Sequence, residues 1–243
     1  MLTKYNAESI LFLDIETVPA CPGFSDLTSP FRELWIHKTE QLCQKAGLTS
    51  AEPEQNAGAY YERAGIYAEF GKIICISTGV FRNQSLWIKS FSGDDEKEIL
   101  TDFNEMLVKA KEKGFTYLCA HNGKEFDYPY IIRRMLIHSL EVPEILDLSM
   151  KKPWEIPHLD TMELWKFGDY KSYTSLELMA ACLGIPTPKD DIRGSDVARV
   201  YWEERNLERI VTYCQKDVVT IVNIFFKLKG LQPVPDSMVM LVN

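Results

Sequence analysis

The apolar run Ile10-Leu11-Phe12-Leu13 passes straight into Asp14-Ile15-Glu16, and this short frame constrains the fold more than any other stretch of the chain. Side chains alternate along a strand, so two residues two positions apart project from the same face. Asp14 and Glu16 therefore bring two carboxylates to one end of an apolar strand. Far downstream, Tyr213 and Asp217 lie four apart in a segment of helical spacing, which sets both on one helix face about one turn apart. That face offers a second wall to the acidic pair.

The periodicity around these frames predicts strands over residues 9–16, 72–80 and 84–91, the last two joined by Phe81-Arg82-Asn83 in hairpin fashion. A helix is expected from Asp94 to Lys113. Asp94, Asp95 and Glu96 suit its positive end, Lys109, Lys111 and Lys113 its negative end, and Gly114 terminates it. Thr116 to Ala120 reads as a short strand. The polar turn His121-Asn122-Gly123-Lys124 follows, then a helix beginning near Asp127-Tyr128-Pro129, where the proline suits a first helical turn. Residues 174–183, 194–204 and 206–228 have helical spacing, with Gly184, Pro186 and Pro188 punctuating the first gap. Residues 21–71 form a long connection between the first two strands, with a helix over Phe31 to Ala46 and the aromatic pair Tyr60-Tyr61. It is either a lid over the acids or a packed insertion. With 243 residues the chain suits a single α/β domain over 1–243.

Composition excludes several classes. No stretch approaches the apolar length of a membrane span, and no basic-then-apolar leader opens the sequence, so a cytoplasmic protein without membrane contact is expected. A net charge of −8 argues against broad, charge-driven attachment to nucleic acid. A carboxylate cluster adds negative charge until divalent cations neutralise it, which leaves room for local, metal-dependent binding. The six cysteines form no C-x-x-C pair and several lie inside apolar runs, as buried thiols do in a reducing compartment. The histidines at 37, 121, 138 and 158 lack zinc-ligand spacing, and neither a Walker phosphate loop nor G-x-G-x-x-G is found.

Three frames taken together, Leu13-Asp14-Ile15-Glu16-Thr17, His121-Asn122-Gly123-Lys124-Glu125-Phe126-Asp127 and Tyr213-Cys214-Gln215-Lys216-Asp217, resemble the motifs of the DEDD superfamily of 3′-to-5′ exonucleases. Tyrosine four before the last aspartate, with threonine at 212, is similar to the tyrosine subclass, as in the proofreading exonuclease domains of family B DNA polymerases and their stand-alone bacterial relatives. The resemblance covers nearly the whole chain, including Lys171-Ser172-Tyr173-Thr174-Ser175-Leu176 and Lys189-Asp190-Asp191. It implies a ribonuclease H-like fold, a mixed central sheet flanked by helices, with residues 21–71 as a helical insertion.

The resemblance also implies two divalent cations, Mg2+ or Mn2+, hard ions that prefer oxygen ligands and together stabilise both the attacking and the leaving oxygen at a phosphorus. Asp14, Glu16 and Asp217 would hold the cation that activates water, Asp14 would bridge to the second, and Asp127 would support that one directly or through water. Tyr213 would orient the water, since a phenol with an ordinary pKa of about 10 is a poor base at neutral pH. Thr17, Asn122, Phe126, Lys171 and Tyr173 are the substrate-side candidates. Thr17 either touches the terminal sugar or is a strand-edge residue, Asn122 either meets the terminal nucleotide or fixes its turn, and Phe126 either stacks on a base or belongs to the core. Lys124, Arg133, Lys171 and Tyr173 either track the phosphate backbone or are solvated surface groups or local structural contacts. In His158-Leu159-Asp160-Thr161, Asp160 supports the site from behind or binds a cation itself, Asp190-Asp191 read as loop acids, and Asp127 is also a possible helix cap. The expected substrate is a single-stranded DNA 3′ end. The alternatives are short RNA or a non-catalytic nucleic-acid- or protein-binding module, and a separate polymerase or repair partner stays open without being indicated by any residue.

Overall fold

The computed structural model describes residues 2–47, 53–169, 173–186 and 192–242. Among them β1 (Ile10–Pro19), β2 (Gly71–Arg82), β3 (Ser85–Ser92), β4 (Tyr117–Ala120), β5 (Leu159–Asp160) and β6 (Val239–Val242) form one mixed sheet in the order β5-β4-β1-β2-β3-β6. The β1–β2 and β2–β3 pairs are antiparallel, and the β1–β4, β4–β5 and β3–β6 pairs are parallel. The helices are α1 (Phe31–Lys45), α2 (Pro53–Tyr60), α3 (Glu96–Glu112), α4 (Asp127–Ile137), α5 (Thr161–Lys166), α6 (Leu176–Cys182), α7 (Val197–Trp202) and α8 (Leu207–Lys229). None of the described helices is long and apolar enough to cross a membrane.

Strand β1 is covered on both faces, and its alternation decides what meets what. Leu11, Leu13 and Ile15 pack with Leu100, Phe103 and Leu107 of α3 and with Tyr128, Ile131 and Met135 of α4. Ile10 and Phe12 point the other way, onto Val218, Ile221, Val222 and Phe225 of α8, where the Phe12 and Phe225 rings meet edge-on at 5.5 Å. Gly79 of β2 lets α8 lie close to the sheet, because a Cβ there would come within 2.8 Å of Val218 Cγ1. Residues 10, 12, 14 and 16 share a face by the period of two, so the helix that packs on Phe12 also lies across the line of Asp14 and Glu16.

Local chemistry explains most of the element ends. Asp95 caps α3, its carboxylate accepting from the backbone N–H groups of Lys97 and Glu98, so the helix starts two residues later than the charge pattern suggests. The β2–β3 hairpin turns at Asn83-Gln84, both at positive φ (51° and 64°), rather than at 81–83. A two-residue hairpin loop takes that backbone because its twist matches the strands. The expected helix over 194–204 divides into a 3-10 turn at Gly194–Asp196 and the short α7.

The described part of the insertion builds a small core of its own. Leu27, Ala57, Tyr61, Ala64 and Phe70 surround Trp35, whose indole N–H donates to Ala57 O at 2.9 Å. Tyr130 and Arg134 of α4 clamp its far end by donating to Gly65 O and Ala68 O, both at 2.8 Å. Arg134 is itself held by the buried Glu96 carboxylate, which also accepts from the Ile73 backbone N–H. This end of the insertion is therefore packed against the sheet domain.

Candidate active site

Beyond Phe12, β1 carries Asp14 and then Glu16 along the face covered by α8. A β-bulge follows at once: Glu16 pairs with Cys75 but Thr17 with Ile73, so Ile74 is the extra residue on β2. Bulges re-aim strands at such places. From α8, Tyr213 and Asp217 complete the second wall, and the Tyr213 hydroxyl hydrogen-bonds the Asp217 carboxylate. Cys214 makes the direct link between the walls, with Sγ 3.4 Å from Asp14 O and 3.5 Å from Asp14 Oδ2. Donor atoms of Asp14, Glu16 and Cys214 all lie within 4.8 Å of one another.

Asp127 enters from α4. It is the first residue of that helix, not its cap, which is Phe126. Its carboxylate accepts from the backbone N–H of Ile15, between the two acids of β1, and from its own N–H. The structure thus brings Asp14, Glu16, Asp127, Tyr213 and Asp217 into one electrostatic unit.

Burial and mutual repulsion set the protonation behaviour of that unit. The Asp14 carboxyl is pushed well up by burial and then by the charges of Asp217, Glu16 and Asp127, against which the Cys214 thiol offers one stabilising hydrogen bond. Glu16 is also pushed well up, by burial first and then by Asp217. Asp127 is raised to about 8, chiefly by burial, with Asp160 adding to it. Tyr213 is driven far above its ordinary value by burial and by Asp217, Glu16 and Asp14, so the phenol stays neutral and remains a donor. Glu16 is only 7% exposed and accepts no hydrogen bond from any described residue. A buried carboxylate without a donor carries a large desolvation cost that a bound cation offsets. Oxygen donors converging in this way suit hard divalent ions.

The turn after β4 is organised by Asp160, 2% exposed. Its Oδ1 accepts from the backbone N–H groups of Asn122, Met162 and Glu163 at 3.0, 2.9 and 3.3 Å, and its Oδ2 accepts from Lys124 N at 3.1 Å. Those bonds make it the cap of α5 and the anchor of the second motif. His121 extends the anchorage, with Nδ1 2.8 Å from Thr161 Oγ1 and Nε2 donating to Thr174 O at 2.9 Å, and burial pushes its pKa down. His158 accepts from Leu118 N at Nδ1 and donates to Ile145 O at 2.7 Å, and burial lowers its pKa to about 4. It is a neutral structural pin.

The substrate-side candidates separate clearly. Asn122 sits at φ 61° and so fixes its turn, yet its Oδ1 is buried without a partner among the described residues. Phe126 is half-buried and packs on Tyr130, ring centroids 5.4 Å apart, which gives it a core contact. Thr17 is half-buried, its hydroxyl bonded to that of Tyr130. The Lys124 ammonium is mostly buried in an ion pair with Glu163 at 2.7 Å, so it is not a free phosphate contact. Arg133 and Tyr173 are exposed. Lys171, Asp190 and Asp191 lie outside the described residues.

Two neighbours of the site went unread in the sequence. Cys214 is three residues before Asp217 and shares its helix face, so the spacing held a signal. Gly194 left none: a Cβ there would lie 4.0 Å from the Tyr213 hydroxyl, which makes the 192–196 turn the border of that side.

An antiparallel β3-β2-β1 meander continued by parallel β4 and β5, with helices on both faces and acids midway along a first strand that runs on to Pro19 rather than ending at residue 16, defines a ribonuclease H-like fold. Residues 66–236, more than half of the chain, match the family described as predicted 3′-5′ exonucleases related to the exonuclease domain of PolB, and the chain belongs to that family. The matched span contains the second and third motifs and begins after β1, so Asp14 and Glu16 join the site through the packing of β1 under α8. None of the curated proteins matches the chain.

Proposed function

We propose that this chain is a tyrosine-subclass, two-metal 3′-to-5′ exonuclease that releases nucleoside monophosphates from single-stranded DNA. The observation that carries the reading is the buried Glu16 carboxylate beside Asp14, without a donor among the described residues and in the field of Asp217. Two divalent cations, Mg2+ or Mn2+, when bound by Asp14, Glu16, Asp127 and Asp217, supply the Lewis-acid stabilisation of the attacking and leaving oxygens. Asp14 would help to hold both. Tyr213 stays neutral, and its hydroxyl, oriented by Asp217, positions the attacking water rather than deprotonating it.

The Asn122 Oδ1, buried and unsatisfied among the described residues, is the acceptor assigned to a hydroxyl of the terminal sugar, with Thr17 as the candidate contact on β1. Tyr173 offers an exposed ring, Lys171 a charge for the phosphate backbone, and Phe126 an aromatic side chain for a base. An overall charge of −8 keeps binding local to the cations.

End-labelled single-stranded DNA and RNA, incubated with Mg2+, Mn2+ or chelator, test this. A 5′ label gives a shortening ladder and a 3′ label gives mononucleotide at once. Chelator or Asp14→Ala lowers the rate on the order of a thousandfold, a few kcal/mol of lost stabilisation. Intact substrate under every metal condition, or equal rates for wild type and Asp14→Ala, overturns the reading. Faster digestion of RNA reassigns the polymer.

A further inference from the structure

We propose that Cys214 adds a soft donor to the Asp14–Glu16 pair, so that a thiophilic dication of the zinc class, Zn2+ or Cd2+, binds there more tightly than Mg2+ and blocks the site. The donor atoms of Asp14, Glu16 and Cys214 already lie within 4.8 Å of one another. The separation of Cys214 Sγ from Asp14 Oδ2, 3.5 Å, is also that of two ligands on one ion. A tetrahedral zinc with bonds of about 2.3 Å to sulfur and about 2.0 Å to oxygen spaces those atoms by roughly 3.5 Å. The Glu16 carboxylate, buried and without a donor among the described residues, is free to be the third ligand. A second thiol backs the first: Cys75 pairs opposite Glu16 in the sheet and is in hydrogen-bond contact with Cys214.

Mg2+ demands six oxygen ligands and gains little from a thiol, whereas zinc-class ions accept four-coordinate sites of mixed sulfur and oxygen. On binding, the Cys214 S–H bond breaks, a sulfur–metal bond forms and the proton leaves to solvent, with no change of oxidation state. The weak hydrogen bond that the thiol makes to Asp14 is exchanged for a shared cation. The effect on turnover rests on the nuclease reading above, but the coordination does not.

The test uses the full chain with Cys21 and Cys182, the two cysteines that are not buried, changed to serine. Metal-free protein is titrated with Cd2+ and the sulfur-to-cadmium charge-transfer absorption followed in the ultraviolet. Expected are a saturable band that survives about tenfold excess Mg2+, loss of the band in Cys214→Ser, and affinity lowered about tenfold or more in Asp14→Asn, which keeps every thiol. Zn2+ added to a Mg2+-driven digestion inhibits it, and about tenfold more Zn2+ is needed in Cys214→Ser. Absence of a band, a band retained in Cys214→Ser, or unchanged affinity in Asp14→Asn overturns the proposal. The Asp14→Asn arm decides even where Cys214→Ser does not fold. A band in a protein without nuclease activity upholds the coordination and sinks the nuclease reading, while nuclease activity without a band does the reverse.

Discussion

Asp160 and Glu16 are both acids buried to within a few per cent of completely, and they are opposites. Asp160 accepts from four backbone N–H groups, which spread its charge through β5, α5 and the second-motif turn. Glu16 accepts none among the described residues and faces other carboxylates instead. Burial alone therefore says little about an acid's role. The supply of donors decides it: a satisfied carboxylate holds structure together, and an unsatisfied one leaves the folded state in need of a counter-charge.

Substitution makes the contrast measurable. Glu16→Gln removes a repelled charge, so exonuclease turnover falls on the order of a thousandfold while metal-free stability holds or rises. Asp160→Asn sets an amide N–H against a backbone N–H and lowers stability by about 2–4 kcal/mol in denaturant unfolding. If Asp160→Asn unfolds like wild type while Glu16→Gln is destabilised, the two acids have been assigned the wrong way round.

The same logic fixes a pH dependence. Asp14, Glu16 and Asp127 are all raised in the folded state, Asp127 to about 8. From about pH 4, the ordinary carboxylate range, the unfolded chain gives up these protons first. Their contribution is thus fully present at the acid end, and metal-free stability falls as pH rises toward 8. Melting temperatures should decline across that window without metal, decline less in Asp127→Asn, and level out in saturating Mn2+. A metal-free melting temperature that climbs from pH 5 to 8 would contradict the repulsion. Tyr213→Phe carries the smallest effect: turnover drops about 10- to 100-fold for one lost hydrogen bond, with Mn2+ affinity unchanged by titration.

Much of the site was legible because each frame is local. Alternation in Ile10–Glu16 assigned Asp14 and Glu16 to one face, and four-residue spacing assigned Tyr213 and Asp217 to another. The charge order of α3 located that helix to within two residues. The losses are of a different kind. A two-residue strand such as β5 shows no periodicity of its own and exists because β4 pairs with it. The edge strand β6 and the short α5 and α7 are likewise held by their neighbours. Asp160 was read as a support or a ligand, and only its four hydrogen bonds distinguish the two. Lys124 reads in sequence as a phosphate contact, a solvated group or a local structural contact, and its pairing with Glu163 selects the last.

The sequence by itself determined which side chains share a face, since residues two apart on a strand and four apart on a helix are fixed by backbone geometry. Tertiary structure alone decided that the face of Asp14 meets the face of Asp217. That meeting depends on the close approach of α8 over Gly79, on the bulge after Glu16, and on a thiol contact between residues 200 positions apart. Burial and repulsion at Glu16, and its lack of a donor among the described residues, arise only from those contacts, because desolvation and Coulomb energy depend on distances in space rather than along the chain.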